Sequence, residues 1–449
     1  MRRWWLVALA LVVLLAGVGG ALVLRDQGVE VPLVSSSPSA SPDPSRTPVL
    51  EPSSGHAPVP SRSGLSAALA VALKSPGLGT RLGLSVVDVQ TGRPLLETDA
   101  VRAVTPASTA KIVTAVAALT VLDPSHRFTT RVLQGAAGDV VLVGAGDPYL
   151  AGRHATAGFP RAARLVDLAA QLKGIVVRRV LVDDGLFRGP RLGPGWKGEY
   201  VTSGDVAPVS ALEVDGGRRS SRKSQPRVAD PALDAGAQLA ALLHVRTVLR
   251  GTAPSGAVEL AHVDSPSVSD LVEAMLTRSD NDLAEALGRQ VALASGLPAT
   301  FVGEATALSV AVRGPLDKAG VSHSAVALKD ASGLSPLDRL QPAALSRLLV
   351  VVGQDQRYAS ILSGLPVAGF DGTLQNRYRK APADAAAGEV RAKTGTLNGV
   401  SALAGLVRTR SGRLLAFDLT ADGVPLTGTL KAQAALDRVA AVLASCGCT

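Results

Sequence analysis

Apolar and polar positions change rhythm several times along this chain, and each rhythm predicts a different element. Residues 4–24 form an unbroken apolar run of 21 residues behind Arg2 and Arg3, and a helix needs about 20 such residues to cross a bilayer. No polar face interrupts the run, which argues against a buried helix of a soluble protein, and the two arginines place the N-terminus in the cytoplasm. The run ends in Leu22, Val23, Leu24 and Arg25 rather than in a small-residue cleavage motif. Residues 1–33 are therefore expected to anchor the chain in the cell membrane with everything after them outside, and secretion after signal cleavage is the alternative. From Val34 to about Gly64 serine and proline dominate, so residues 34–63 are expected to be an extended linker too poor in apolar groups to fold.

Beyond the linker, Leu82, Leu84 and Val86 alternate with Gly83 and Ser85. A turn at Gln90, Thr91 and Gly92 leads into Arg93 to Glu97, which reads as the second strand of a β-hairpin. A helix is predicted next, because Ile112, Ala115, Val116 and Leu119 recur at i, i+3, i+4 and i+7 until Asp123-Pro124 stops the pattern. Near the other end Arg391–Leu397, Val400–Val407 and Leu414–Thr420 read as three strands joined by tight turns, followed by a helix from about Thr427 to Ser445. Strands and helices thus stand at both ends of the folded chain. The expected assembly is α+β: one antiparallel sheet built from both termini and covered by helices. Residues 64–128 and 264–449 supply its two parts, and residues 129–263 are an inserted accessory region. No repeat of solenoid period is present.

Composition narrows the function classes. Of 449 residues 47% are hydrophobic and mean hydropathy is +0.26, which excludes a disordered chain, while aromatics make up only 3%. The core must be built from Ala, Val and Leu, and a base-stacking nucleic-acid surface is poorly provided for, so no nucleic-acid partner is expected. Two cysteines, Cys446 and Cys448, exclude a disulfide framework and a four-cysteine zinc site. The six histidines include no H-E-x-x-H pair, so no metal and no cofactor is expected. A net charge of +9 favours anionic polymers or membranes. The basic run Arg218, Arg219, Arg222, Lys223 and Arg227 reads as a solvated loop, with contact to an anionic wall polymer as the functional alternative.

Candidate chemistry begins at Ser108-Thr109-Ala110-Lys111. A hydroxyl and an amine three residues apart on a helix project from one face, a spacing that suits a serine nucleophile and its base. The lysine can take the proton only if its pKa falls, which burial and neighbouring cations achieve. Alone the pattern is weak. Ser279-Asp280-Asn281 follows in a break between two helical stretches, and Lys393-Thr394-Gly395-Thr396 follows on the first strand of the C-terminal meander. Gly395 leaves room for a substrate backbone beside that strand. The ordered set S-x-x-K, S-x-N, K-T-G is the signature of penicillin-binding proteins and serine β-lactamases.

From these motifs the chain resembles the penicillin-binding D-alanyl-D-alanine carboxypeptidase/endopeptidase family, peptidase family S13. Further blocks resemble that family in the same order: Pro106-Ala107-Ser108, Gly146-Asp147-Pro148, Asp183-Asp184-Gly185, Pro194-Gly195-Trp196, Ala207 to Leu212, and Ser332-Gly333-Leu334-Ser335. The resemblance implies the transpeptidase fold shared with serine β-lactamases and an acyl-enzyme mechanism on peptidoglycan pentapeptides or crosslinked peptides, with β-lactams as covalent inhibitors. It implies Ser108 as nucleophile, Lys111 as general base, and Ser279 with Asn281 as proton relay and amide holder. Lys393, Thr394, Gly395 and Thr396 are implied to bind substrate, the first two at the terminal carboxylate, with the Ser108 and Thr396 N–H groups as oxyanion hole.

Two alternatives share the fold. A β-lactamase that deacylates with a glutamate needs one between the second and third motifs, where only Glu285, Glu304 and Glu389 stand. A non-catalytic wall-binding scaffold would be marked by a lost nucleophile or base, and all six key side chains are present.

Overall fold

The computed structural model describes residues 57–152, 160–219 and 225–448. The expected anchor and most of the linker lie outside the described residues, among which no helix is long and apolar enough to cross a membrane.

Helix α1 (Arg62–Leu69) starts where the Ser61 hydroxyl accepts the Gly64 N–H, and it buries Leu65 and Leu69. Strands β1 (Leu82–Asp88) and β2 (Pro94–Thr98) form the expected hairpin, its turn fixed by Asp88, which accepts both the N–H and the hydroxyl of Thr91. Helix α2 (Ala110–Val121) is buried at every position from Ala110 to Leu119. A helix buried on every side belongs in the middle of a core, and α2 is the central helix of this one.

The middle of the chain supplies β3 (Thr129–Gln134), β4 (Asp139–Val143), α3 (Leu165–Gln171), β5 (Arg179–Asp183), α4 (Pro231–Leu242), β6 (Val248–Arg250) and β7 (Glu259–Asp264). Its strands make a second sheet in the order β6-β5-β4-β3-β7, with β4, β5 and β6 parallel. Val140, Leu142, Val180 and Val182 pack there against Leu165, Leu168 and Leu239 of the two helices. Burying each such side chain contributes roughly 1.5–3 kcal/mol. Apolar pattern alone does not separate these strands from loops, because they are three to six residues long and β6 is largely exposed.

Next come α5 (Val268–Arg278), α6 (Asn281–Ala294), α7 (Phe301–Ala311), α8 (Pro342–Gln354), β8 (Val390–Leu397), β9 (Val400–Arg408), β10 (Leu414–Asp422) and α9 (Thr429–Ser445). The main sheet has the order β8-β9-β10-β1-β2 and is antiparallel throughout, the assembly from both termini that the pattern predicts. On one face Leu436 and Val439 of α9 meet Leu403 and Phe417. On the other, α2, α5, α6 and α8 pack together with Ala404, Leu406 and Ala416. The two ends of the described chain meet, since the Ser61 N–H donates to the Cys448 carbonyl at 2.7 Å. Cys446 and Cys448 form a disulfide with each other.

Candidate active site

Ser108 stands in a short 3₁₀ turn, Ala107–Thr109, that runs directly into α2. Ala107 is in the left-handed region at φ 49, a conformation that costs a non-glycine residue about 1–2 kcal/mol. Two backbones close on this turn. A Cβ added at Gly333 would lie 2.0 Å from the Ala107 carbonyl oxygen, and one added at Gly395 would lie 2.7 Å from that of Pro106. This corrects the expectation for Gly395: the space freed by its missing side chain holds the Ser108 turn and is not open to a ligand. One helical turn beyond Ser108, Lys111 Nζ lies 3.1 Å from Ser108 Oγ. Ser108 is partly exposed and Lys111 is fully buried.

Ser279-Asp280-Asn281 is a helix-to-helix junction. A capping box of Ser267 and Asp270 starts α5, and Ser279 ends it in the left-handed region at φ 57. The Asp280 side chain then accepts the Leu283 N–H as the N-cap of α6, so three consecutive residues stop one helix and begin the next. Ser279 Oγ thereby accepts from Lys393 Nζ at 2.8 Å. Asn281 Oδ1 accepts from Lys111 Nζ at 2.6 Å, and its amide donates to the Asp205 carbonyl at 2.8 Å.

Lys393 to Thr396 lie on β8, the edge strand of the main sheet. The first part of that edge is covered, because Ala392 donates to the Pro366 carbonyl and Ala368 to that of Val390. The open edge begins at Lys393. Backbone groups on such an edge are available to an extended ligand. Lys393 itself is fully buried, with Nζ donating to Ser279 Oγ and to the Thr394 carbonyl, while Thr394 and Thr396 reach the surface. Thr394 Oγ1 pairs with Thr373 Oγ1 at 2.9 Å.

Burial disfavours both ammonium forms. Burial pulls the Lys111 pKa down to about 8, although the carboxylates of Asp330, Glu285, Asp280 and Asp282 pull it upward. Lys393 falls well below the ordinary lysine range, first through burial and then through the charge of Lys111. Beside Ser279 and Asn281 opens a cavity of about 560 Å³, also lined by Tyr149, Arg218, Arg278 and Thr373.

The fold and this geometry set the chain beside known proteins. The profile of the D-Ala-D-Ala carboxypeptidase 3 (S13) family matches residues 65–225 and 218–445. The chain belongs to the S13 family. It is 40% identical over 424 residues to the carboxypeptidase DacB of Mycolicibacterium smegmatis, covering 92% of this chain and 90% of that one. It is 28% identical to a D-alanyl-D-alanine carboxypeptidase of an Actinomadura species, covering 78% and 79%. Among solved structures, penicillin-binding protein 4 of Haemophilus influenzae shares the fold at TM-score 0.67 and 23% identity, covering 85% of this chain and 97% of that one. That protein has also been crystallised in complex with a β-lactam.

The structure brings together Ser108, Lys111, Ser279, Asn281 and Lys393 through the contacts above. Pattern did not reveal Thr373, the Ser332 carbonyl that accepts from Lys111 Nζ at 2.6 Å, or the Asp205 carbonyl. Backbone acceptors leave no residue-type signal, although Ser332 lies in one of the resembling blocks. The basic run also differs from its solvated reading. Arg219 is exposed, as that reading expects, and Arg222 and Lys223 lie outside the described residues, but Arg227 is buried and pairs with Asp282, and Arg218 pairs with Asp280. Two carboxylates at the start of α6 need these counter-charges.

Proposed function

We propose that the chain removes the terminal D-alanine of peptidoglycan stem peptides through an acyl-enzyme on Ser108, with Lys111 as general base. The observation that carries this reading is the 3.1 Å contact between Lys111 Nζ and Ser108 Oγ, made by an amine whose pKa is lowered to about 8. Deprotonated, that amine has two N–H groups and one lone pair. The Ser332 carbonyl and Asn281 Oδ1 are both acceptors, each 2.6 Å away, so they take the two hydrogens and turn the lone pair towards the Ser108 hydroxyl.

Ser108 Oγ attacks the carbonyl carbon between the two D-alanines while its proton passes to Lys111. The Ser108 and Thr396 N–H groups hold the developing oxyanion. The C–N bond then breaks as the proton held by Lys111 passes through Ser279 to the departing amine, and water cleaves the Ser108 ester, its hydroxyl going to the acyl carbon and its proton returning to Ser108 Oγ. The substrate lies along the open edge of β8, beginning at Lys393. Its terminal carboxylate meets Thr394 and Thr396 directly and Lys393 through the Ser279 hydroxyl, since the lysine is buried. An arriving anion favours the protonated form of Lys393, which burial and the charge of Lys111 disfavour.

The three glutamates available to a β-lactamase-type deacylation are committed elsewhere. Glu285 accepts the Ser332 N–H, Glu304 is buried against Arg289, and Glu389 pairs with Arg408. Slow release of a β-lactam adduct is therefore expected. The apolar run at residues 4–24 supports attachment to the membrane with this site outside. Release of D-alanine from a pentapeptide, measured beside Ser108→Ala, tests the reading: the parent should turn over and the variant should not.

A further inference from the structure

Both acceptors that orient Lys111 are tied to one stretch of chain outside the three motifs, in addition to the Glu285 carboxylate that accepts the Ser332 N–H. The Asp205 carbonyl accepts the Asn281 amide at 2.8 Å, which fixes the other end of that amide towards Lys111. The Ala207 N–H donates to Asp282 Oδ1 at 2.8 Å and so ties the same stretch to the start of α6. The Ser332 carbonyl belongs to a loop organised around Asp330, whose Oδ1 accepts the Gly333 N–H and whose Oδ2 accepts the Ser335 N–H, each at 2.7 Å. Into this loop the indole of Trp196 donates to Asp330 Oδ2 at 2.7 Å, and Ser335 Oγ donates back to the Pro194 carbonyl at 2.7 Å. The Trp196 ring stands edge-on to Phe301 at 5.5 Å, so its direction is set by packing as well as by the hydrogen bond.

We propose that residues 194–207 form a brace that positions the general base, with Trp196 and Ser335 as positioning residues acting through Asp330 and the Ser332 carbonyl. Neither touches the reacting atoms. The chain of contacts runs from Trp196 to Asp330, from Asp330 to the loop backbone, from the Ser332 carbonyl to Lys111, and from Lys111 to Ser108. A loop freed from the brace withdraws its carbonyl and admits water to Lys111. The lone pair then loses its fixed direction, and desolvation of the amine weakens. The charged groups facing Lys111 are Asp330 from the loop, Asp280, Asp282 and Glu285 at the start of α6, and Lys393 from β8. All are retained when Trp196 is changed.

This inference rests on Lys111 being the base, so its test has one readout that does not depend on catalysis. Trp196→Phe keeps an aromatic ring and removes the donor, and Ser335→Ala removes the second tie with little change of shape. Lys111 is followed by NMR titration of its side-chain carbon and nitrogen in the full chain, and acylation by a fluorescent penicillin is timed in parallel. In both variants the Lys111 midpoint should rise from about 8 towards the ordinary lysine range, and acylation should slow by about tenfold, short of the hundredfold that a full ångström of misplacement costs. An unchanged Lys111 midpoint overturns the brace, even if melting temperature or rate falls, because a merely structural role would lower those without moving the titration. Failure of the parent itself to be acylated counts against the proposed function, while the titration still decides the brace.

Discussion

Lys111 Nζ and the carbonyl oxygen of Ser332 lie 2.6 Å apart, although 221 residues separate them in the chain. In the proposed mechanism this contact, with that from Asn281, directs the lysine lone pair. Removing the amine by Lys111→Ala should therefore slow acylation by about 10²–10⁴-fold, the usual contribution of a general base. Penicillin acylation rates of the two proteins check this, with binding of intact substrate expected to change little.

The acidic limb of the pH–rate profile should report the same group. A base must be unprotonated to act, so the acylation rate should climb with pH and level off through about 8, the depressed pKa of Lys111. Asn281→Asp adds a carboxylate beside the ammonium and should move that limb to higher pH. A pH series of acylation rates for parent and variant measures the shift.

Gly333→Ala should damage both the fold and the site. The residue has φ +79, and an added Cβ would stand 2.0 Å from the Ala107 carbonyl, so the 330–335 loop must back away from the Ser108 turn. The left-handed backbone alone costs about 1–2 kcal/mol, and the clash adds to it. Denaturant unfolding should show the loss, together with slower labelling of Ser108.

Thr373→Val tests a residue that no motif contains. It removes the partner of Thr394 Oγ1 without touching either lysine. A lost hydrogen bond of about 1 kcal/mol corresponds to roughly fivefold weaker peptide binding, so KM should rise by that factor while kcat holds. Steady-state kinetics on a pentapeptide separates the two.

Asp418, buried in β10, should make stability fall as pH rises. Burial lifts its pKa from 3.8 to about 7, with only the Thr420 hydroxyl opposing. The folded chain then binds this proton more tightly than the unfolded chain, so the stability it contributes is present below about 4 and is lost through about 7. Asp418→Asn should be more stable than the parent at pH 8 by on the order of 1–3 kcal/mol, and the gap should close towards pH 4. Urea unfolding at the two pH values provides the comparison.

Much of this architecture is legible because periodicity and motif coincide. The hairpin at Leu82, helix α2, the three C-terminal strands and α9 all carry long, regular apolar patterns, and each is found within a few residues of its expected bounds. Ser279-Asp280-Asn281 is legible as a helix break because Ser and Asp favour caps. The second sheet is not, since its strands are short and half exposed. Nor are the Ser332 and Asp205 carbonyls, because any residue offers a carbonyl and only tertiary packing decides which one faces Lys111. Gly395 shows the converse: its glycine was legible, but what fills the vacated space is the Pro106 backbone.

The most direct measurement is peptide mapping by mass spectrometry after exposure to penicillin. A single adduct on Ser108 that disappears in Ser108→Ala is the predicted result. An unlabelled parent, or a variant labelled as fully as the parent, would contradict the assignment of this hydroxyl as the nucleophile.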